Sequence, residues 1–186
     1  ILCVLDDLIK SGKIRHVGLS NENPWGIMRF LEEAKNDLPK MITVQNSYSL
    51  LNRQYEVGNA EISMRENIGL LAYSPLACGV LSGKYINGTD QPDSRLNLFK
   101  RFVRYSSEQS TEATRRYLNL AQQFNISLTK MALAFVNQQP FVTSNIIGAT
   151  TLSQLGENIE SINVELSSTL LAEIEKIHQE IPDPST

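Results

Sequence analysis

The chain has 186 residues, 41% of them hydrophobic, and a formal net charge of −3 at pH 7, which allows a buried core. The length alone is typical of one domain or two, and we predict a single domain over residues 1–186. Lysine and arginine are dispersed, which excludes the basic patches of nucleic-acid-binding proteins. No stretch is long and apolar enough to span a membrane and no signal peptide is recognisable, so we expect a cytoplasmic protein with no membrane or nucleic-acid partner.

The first residues form an apolar stripe with helical spacing, made of Ile1, Leu2, Leu5, Leu8 and Ile9. A native chain rarely begins with a helix of this kind that has neither a cap nor a methionine. We therefore expect further sequence upstream.

Four short runs are predicted to be buried strands, at residues 14–20, 42–48, 68–74 and 145–150. They are almost continuously apolar, which is typical of a parallel sheet covered by helices. Helical patterns separate them, with predicted caps at Asn23, Ser127 and Ser167 or Ser168. The first three strands begin about 27 residues apart, the length of one βα unit.

This alternation predicts an α/β fold, either a doubly wound sheet or part of a (β/α)₈ barrel. A complete barrel needs roughly 250 residues and eight strands. Because only four strands are predicted, we favour half a barrel. A polar insertion at residues 87–109 follows the third strand, and long insertions of this kind are often functional. Pro182 and Pro184 end the last helix in a polar tail that we expect to be frayed.

The carboxyl ends of the predicted strands carry amides, hydroxyls and one aromatic ring, where a barrel has its active site. Ser20 and Asn21 alone would be read as turn caps. Gln45 interrupts an apolar strand and is expected to need a buried partner. Tyr73 is either a core residue or a stacking platform for a planar ring. Amide side chains both donate and accept hydrogen bonds, as a nicotinamide carboxamide requires.

Charged and polar residues farther along suggest a phosphate site, although each has an ordinary surface interpretation. Lys84, beside the Gly79-x-x-x-Gly83 loop, and Arg95 in the polar insertion are suited to clamping phosphate oxygens. Gln154, Glu157 and Asn158 share one face at the start of a helix, which is either a solvated face or a face that binds adenosine. The sequence holds no clustered metal ligands and the two cysteines lack metal or redox spacing, so we predict no metal site and reduced thiols.

Four motifs in order resemble the aldo-keto reductases: Gly-Leu-Ser-Asn at 18–21, Val-Gln-Asn-Ser-Tyr at 44–48, Tyr-Ser-Pro-Leu at 73–76 with Gly79, Gly83 and Lys84, and Ile-Gly-Ala-Thr at 147–150 with Gln154, Glu157 and Asn158. The resemblance covers essentially the whole chain. It is strongest to the bacterial Tas-type reductases, through Gly-Lys-Ile-Arg at 12–15 and Leu-Leu-Asn-Arg at 50–53, and it extends to the β subunits of voltage-gated potassium channels.

The resemblance implies the C-terminal half of a (β/α)₈ TIM barrel that binds NADP(H) and reduces small aldehydes or ketones. By resemblance, the carboxamide is held by Ser20, Asn21 and Gln45, and Tyr73 stacks under the nicotinamide. The pyrophosphate and ribose side is formed by Ser74, Pro75, Leu76, Ala77, Cys78, Lys84 and Arg95. The adenosine and its 2′-phosphate are held by Gly148, Thr150, Gln154, Glu157 and Asn158.

The resemblance also implies that the family's catalytic residues are absent from this chain. The family's catalytic Asp, Tyr, Lys and His come from the first half of its barrel, and no tyrosine here has the Asp-x-Ala-x-x-Tyr-Gly context of the general acid. We therefore assign no catalytic residue to this chain. Three alternatives stay open: the cofactor-binding half of a reductase, a cofactor-binding regulatory module like the channel β subunits, and an inactive half barrel that forms a homo-oligomer through its open edges.

Overall fold

The computed structural model describes residues 1–86, Leu96 and residues 103–186. In this part of the chain one parallel sheet is formed, with its strands in sequence order. The strands are β1 (Val17–Ser20), β2 (Met41–Ser47), β3 (Gly69–Tyr73) and β4 (Val142–Ile146). The α/β class and the parallel arrangement that the apolar runs predicted are therefore confirmed, and the sheet is consistent with part of a (β/α)₈ barrel.

Helices alternate with the strands. They are α1 (Leu2–Lys10), α2 (Pro24–Ala34), α3 (Asn59–Glu66), α4 (Glu108–Gln123), α5 (Leu128–Asn137), α6 (Leu152–Glu160) and α7 (Ser168–Glu180). The predicted caps are confirmed because Asn23, Ser127 and Ser167 each accept a hydrogen bond from the backbone N–H three residues on. Pro24 follows its cap directly, at a position where its missing N–H is not needed.

The two faces of the sheet differ in chemistry. One face carries apolar side chains that are buried under the helices: Val17, Leu19, Met41, Val44, Leu70 and Ala72. Helices α2, α3 and α5 pack against this sheet. The other face is open and carries mainly small and polar residues. The core therefore lies on one side of the sheet, between strands and helices.

Strands β2 and β3 differ from the prediction by one residue at each end, and β1 and β4 differ by more. Strand β1 begins at Val17 rather than residue 14, because the N–H groups of Lys13 and Ile14 turn back to the carbonyl of Leu8 at the end of α1. Strand β4 covers residues 142–146 rather than 145–150. Its pairing starts early, where the N–H of Leu70 donates to the carbonyl of Phe141. The motif at 147–150 therefore lies in the loop beyond the strand.

Close approach of a neighbouring side chain explains why glycine occupies position 69, the first residue of β3. The register between β3 and β4 shifts between Leu70 and Leu71, where Thr143 is the extra residue on β4. A Cβ atom built on Gly69 would lie 1.6 Å from Oγ1 of Thr143. The hydroxyl side chain of Thr143 therefore fills the space that any larger residue would need.

A charged cluster lies beneath the segment that follows β2. The Arg53 side chain, only 10% exposed, donates from Nε and Nη2 to the carboxylate of Glu56 and from Nη1 to Glu175 on α7. Its guanidinium also lies 5.3 Å from the ring centroid of Phe135. The hydroxyl of buried Tyr48 donates to Glu56 at 2.6 Å. The helix, the loop and the core are thereby joined through one buried cation.

The prediction that the polar tail is frayed is wrong. Ser185 is buried at 1% exposure, and its N–H donates to the carbonyl of Leu51. Asp183 accepts a hydrogen bond from the backbone N–H of Arg53. The sequence pattern missed this because the partners lie more than 70 residues away along the chain.

Candidate functional site

The parallel register aligns polar side chains across the open face. Ser20 lies opposite Gln45, Gln45 opposite Leu71, and Leu71 opposite Ser144. The next row toward the carboxyl edge contains Ser47, Tyr73 and Ile146. The carboxyl ends of β1, β2 and β3 therefore bring the predicted site residues of three separate motifs to one edge of the sheet.

Tyr73 and Asn21 are in direct contact at this edge. The Tyr73 hydroxyl donates to Oδ1 of Asn21 at 2.7 Å, although the two residues are 52 positions apart. The N–H of Asn21 donates to the carbonyl of Gln45, and its Nδ2 donates to the hydroxyl of Ser20. The backbone of Asn21 has a φ of 53°, a conformation that non-glycine residues adopt rarely. These four residues form one cluster.

Gln45 differs from one expectation. Its side chain is exposed on the open face, so the prediction that it needs a buried partner is wrong. The reason is the pleat of the sheet: Val44 points into the core and Gln45 therefore points away from it. An exposed amide in the row between Ser20 and Leu71 is accessible to a ligand.

The loop after β3 has an unusual backbone. Ser74, Ala77 and Cys78 all have positive φ values, of 54°, 48° and 56°, and Gly79 follows with 92°. The N–H groups of Ala77 and Gly79 donate within the loop, to the carbonyls of Ser74 and Leu76, each at 2.8 Å. Strained backbone of this kind clusters at functional sites. The side chains of Pro75 and Ala77 are buried beneath this loop.

Lys84 folds back over this loop. A Cβ atom on Gly79 would lie 3.2 Å from the Nζ atom of Lys84, so the glycine leaves room for the ammonium group. Nζ also lies 5.1 Å from the ring centroid of Tyr85. The predicted proximity of Lys84 to the glycine loop is thus found, and Leu76 in the same loop is half-buried. Arg95, predicted for the same side, lies outside the described residues.

Tyr105 is a neighbour of the loop that sequence reasoning missed. It is buried, and the turn that contains it, Val103–Tyr105, packs against residues Ala77–Ser82 of the loop. Burial raises the pKa of Tyr105. The residue lies within the polar insertion after β3, and only its aromatic character in a polar segment could have pointed to it.

The residues after β4 form a second cluster. Oε1 of Gln154 accepts hydrogen bonds from both the N–H and the hydroxyl of Thr150, each at 3.0 Å. Nδ2 of Asn158 donates to the carbonyl of Gly148. The carboxylate of Glu157 accepts a hydrogen bond from Ser127 at 2.6 Å. Helix α6 therefore holds the loop after β4 in a fixed shape, at the same edge of the sheet as Tyr73.

In the described residues there is no group of three or more histidine, cysteine, aspartate or glutamate side chains that would hold a metal ion. None of the helices in the described ranges is long and apolar enough to cross a membrane.

Comparisons with known proteins agree with this geometry. The model of the Aldo/keto reductase family matches residues 1–179. Protein tas of Escherichia coli (strain K12) is 51% identical over 179 residues, which cover 96% of this chain and 52% of that protein. The L-glyceraldehyde 3-phosphate reductase of the same organism is 35% identical over 181 residues, covering 94% of this chain and 51% of the reductase.

A third relative, a probable voltage-gated potassium channel subunit beta of Oryza sativa subsp. japonica, is 32% identical over 153 residues, covering 78% of this chain and 46% of the subunit. The chain thus spans about half the length of each of these three relatives. The family match covers nearly every described element, from α1 to α7. The chain belongs to the aldo/keto reductase family.

Proposed function

We propose that these 186 residues are the NADP(H)-binding half of an oxidoreductase that reduces small aldehydes or ketones by hydride transfer. The observation that carries the proposal is the cluster at the carboxyl edge, where Tyr73 contacts Asn21 beside Ser20 and the exposed Gln45. The family match and the reductase among the relatives support the reaction class.

The residues present fit a nicotinamide dinucleotide in three regions. Exposed amides and hydroxyls on the open face suit the carboxamide, and Tyr73 is the proposed stacking ring. The ammonium group of Lys84, folded over the loop at residues 74–79, suits a pyrophosphate. The loop at 148–150, held by Gln154 and Asn158, suits the adenosine with its 2′-phosphate.

The cofactor, when bound, supplies the hydride that reduces the carbonyl carbon. Ser20, Asn21 and Gln45 would orient the carboxamide and thereby fix which face of the ring meets the substrate. The reaction also needs a proton at the carbonyl oxygen, and we assign that general acid to a part of the protein outside these residues. Loss of a positioned general acid typically lowers the rate by about 10²–10⁴-fold.

The first test is calorimetric titration of NADPH into this chain and into the whole protein that contains it. Tyr73→Ala is expected to weaken NADPH binding about threefold to tenfold, because a stacking ring contributes roughly 0.5–1.5 kcal/mol beyond its buried area. Tyr73→Phe, which keeps the ring, should lose less. Met64→Ala is the control because Met64 is 60% exposed on the last turns of α3, which lead to the amino end of β3 and away from the site.

Turnover separates the reductase from the regulatory module that the channel subunit suggests. With a panel of aldehydes, the whole protein should oxidise NADPH steadily and the 186-residue chain should not. Tight NADPH binding with negligible turnover in the whole protein would instead support the regulatory module. No NADPH binding by either protein, or Tyr73→Ala with unchanged affinity, would reject the proposed site.

One observation favours self-association as a second property of this chain. Helix α6 and the turn after it expose an apolar stripe made of Leu152, Leu155, Ile159 and Ile162. Strand β4 precedes this helix, and its outer edge has no strand partner among the described residues, as is also true of β1. A second copy related by a two-fold axis would set β4 of one copy beside β1 of the other. We therefore propose that the isolated chain dimerises through α6 and these edges.

Light scattering coupled to gel filtration tests this proposal. The isolated chain is expected to run as a dimer at micromolar concentration, and Leu155→Glu should shift it to the monomer by placing a charge in the apolar contact. Met64→Glu, at an exposed apolar residue of α3, is the matched control and should leave the dimer intact. A monomeric parent chain would refute the second-copy interface.

A further inference from the structure

Residues Asp183–Ser185 join two segments that are distant in sequence, and we call them the brace. Two hydrogen bonds connect the brace to the segment after β2. The N–H of Arg53 donates to the carboxylate of Asp183 at 2.5 Å, and the N–H of Ser185 donates to the carbonyl of Leu51 at 3.1 Å. To the start of α4, the carbonyl of Pro184 accepts from the hydroxyls of Ser107 and Ser110. The hydroxyls of Ser110 and Ser185 are 2.7 Å apart.

Burial and hydrogen bonds hold the brace in one position. Ser185 and its partner Ser110 are both fully buried. Asp183 has a φ of 46°, a conformation that an aspartate adopts rarely and that its hydrogen bond to the backbone of Arg53 helps to hold. The family match ends at residue 179, before the brace begins. Its role therefore has to be inferred from these contacts.

The first segment leads from the brace to Tyr73. Asn52, between the two residues that the brace holds, donates from its side chain to the hydroxyl of Ser47 at the end of β2. The next residue, Tyr48, donates its N–H to the carbonyl of Tyr73 at 3.3 Å. The tyrosine proposed to stack on the cofactor is thus connected to the brace through the backbone after β2.

The second segment leads from the brace to the loop that begins at Ser74. Ser107 caps α4, and Tyr105 lies just two positions before this cap. The turn at Val103–Tyr105 packs against residues Ala77–Ser82, in the loop that Ser74 begins and that is proposed to bind the pyrophosphate. The brace therefore contacts two segments, one that leads to Tyr73 and one that leads to the loop beginning at Ser74.

We propose that Asp183 and Ser185 are positioning residues for the cofactor site: they hold the segments that set the backbone of Tyr73 and Ser74. This inference rests on the proposed NADP(H) function for its effect on affinity. Its structural content, the coupling of residues 183–185 to Tyr48 and Tyr73, does not depend on the cofactor.

The test compares three variants of the whole protein. Asp183→Gly removes the acceptor of the Arg53 N–H without strain at positive φ, and Asp183→Asn keeps an acceptor oxygen at the same place. Thr186→Ala, at an exposed neighbouring residue, is the control. Amide hydrogen exchange at Tyr48 reports the link to Tyr73 without cofactor, and calorimetric titration reports NADPH affinity.

Loss of one hydrogen bond in the brace is expected to speed Tyr48 amide exchange about threefold to tenfold in Asp183→Gly. NADPH affinity should fall by a similar factor, and both readouts should recover in Asp183→Asn. Unchanged Tyr48 exchange in folded Asp183→Gly would overturn the inference. A third outcome is faster Tyr48 exchange in Asp183→Gly while the unmodified protein binds no NADPH. That result would reject the proposed function and the role of the brace at the cofactor site. Only the coupling of the brace to Tyr73 would then be retained.

Discussion

Replacing Arg53 by methionine is expected to lower the free energy of unfolding by about 1.5–3 kcal/mol, the usual contribution of hydrogen bonds to a charged group, because its carboxylate partners are only partly buried. Methionine keeps much of the side-chain volume but leaves the carboxylate of Glu56 without its two guanidinium hydrogen bonds. Tyr48 then donates to a carboxylate that has lost its compensating charge. Urea denaturation followed by circular dichroism measures the change.

Arg116→Met is the matched control for this prediction. Arg116 also pairs with two carboxylates, those of Glu112 and Glu180, but it is exposed at the surface. Exposed pairs typically contribute about 0–1 kcal/mol, so this variant should stay close to the parent protein. Equal losses in the two variants would show that burial of Arg53 does not determine its contribution.

Acid titration of stability gives the Arg53 prediction a second readout. Burial opposes the charge of Arg53, but its hydrogen bonds to Glu56 and Glu175 outweigh that effect and raise its pKa. The hydrogen bond from Arg53 correspondingly lowers the pKa of Glu175 below its ordinary value of 4.5. The associated stability is present above pH 4.5 and is lost as the pH falls through the lowered folded-state pKa. Arg53→Met should lose this part of the acid dependence, which is small because Glu175 is half exposed.

Gly69→Ala is expected to destabilise the protein by about 1–3 kcal/mol, the usual cost of overpacking. The added methyl group would meet Oγ1 and Cβ of Thr143, and the bulged backbone of β4 has to shift to admit it. Thermal unfolding measures the change. In a Thr143→Gly background the same substitution should cost much less, because the obstructing side chain is gone.

Gly156→Ala is the control for the Gly69 prediction. Gly156 is exposed within α6, and a Cβ atom there meets no atom within 4 Å. Alanine is favoured over glycine in a helix by roughly 0.8–1.0 kcal/mol, so this variant should be more stable than the parent protein. If Gly69→Ala were also neutral or stabilising, Thr143 and the β4 backbone would move aside for the methyl group at little cost, contrary to this prediction.

Local patterns were sufficient to predict the alternation of strands and helices. Asn23–Pro24 and Ser127 act through neighbouring residues, so their roles as helix starts could be read directly from the sequence. The motif residues at the ends of β1, β2 and β3 were placed together because parallel strands bring their carboxyl ends to one edge. The limits of β4 were not predictable in this way, since its pairing begins at Phe141 through a backbone contact with β3.

The contacts that sequence reasoning missed all depend on distant partners or on backbone conformation. Asp183 binds Arg53 across 130 positions, and the turn at Tyr105 reaches the loop after β3 from the far side of a long insertion. The positive φ values of Ala77 and Cys78 had no glycine to signal them. Such features arise from tertiary packing, and neither periodicity nor residue type encodes them locally.

The order of strands in the sheet has a consequence for how the chain folds. Pairing β1 with β2, or β2 with β3, closes a loop of about 20 residues, whereas pairing β3 with β4 closes one of about 70, which costs about 1 kcal/mol more in chain entropy. Strands β1–β3 are therefore expected to associate first, and β4 to join afterwards. Asn21 and Tyr73 meet in the early unit, while the loop around Gly148 is completed only in the late one. A dinucleotide that contacts both would consequently stabilise the last step of folding more than the first.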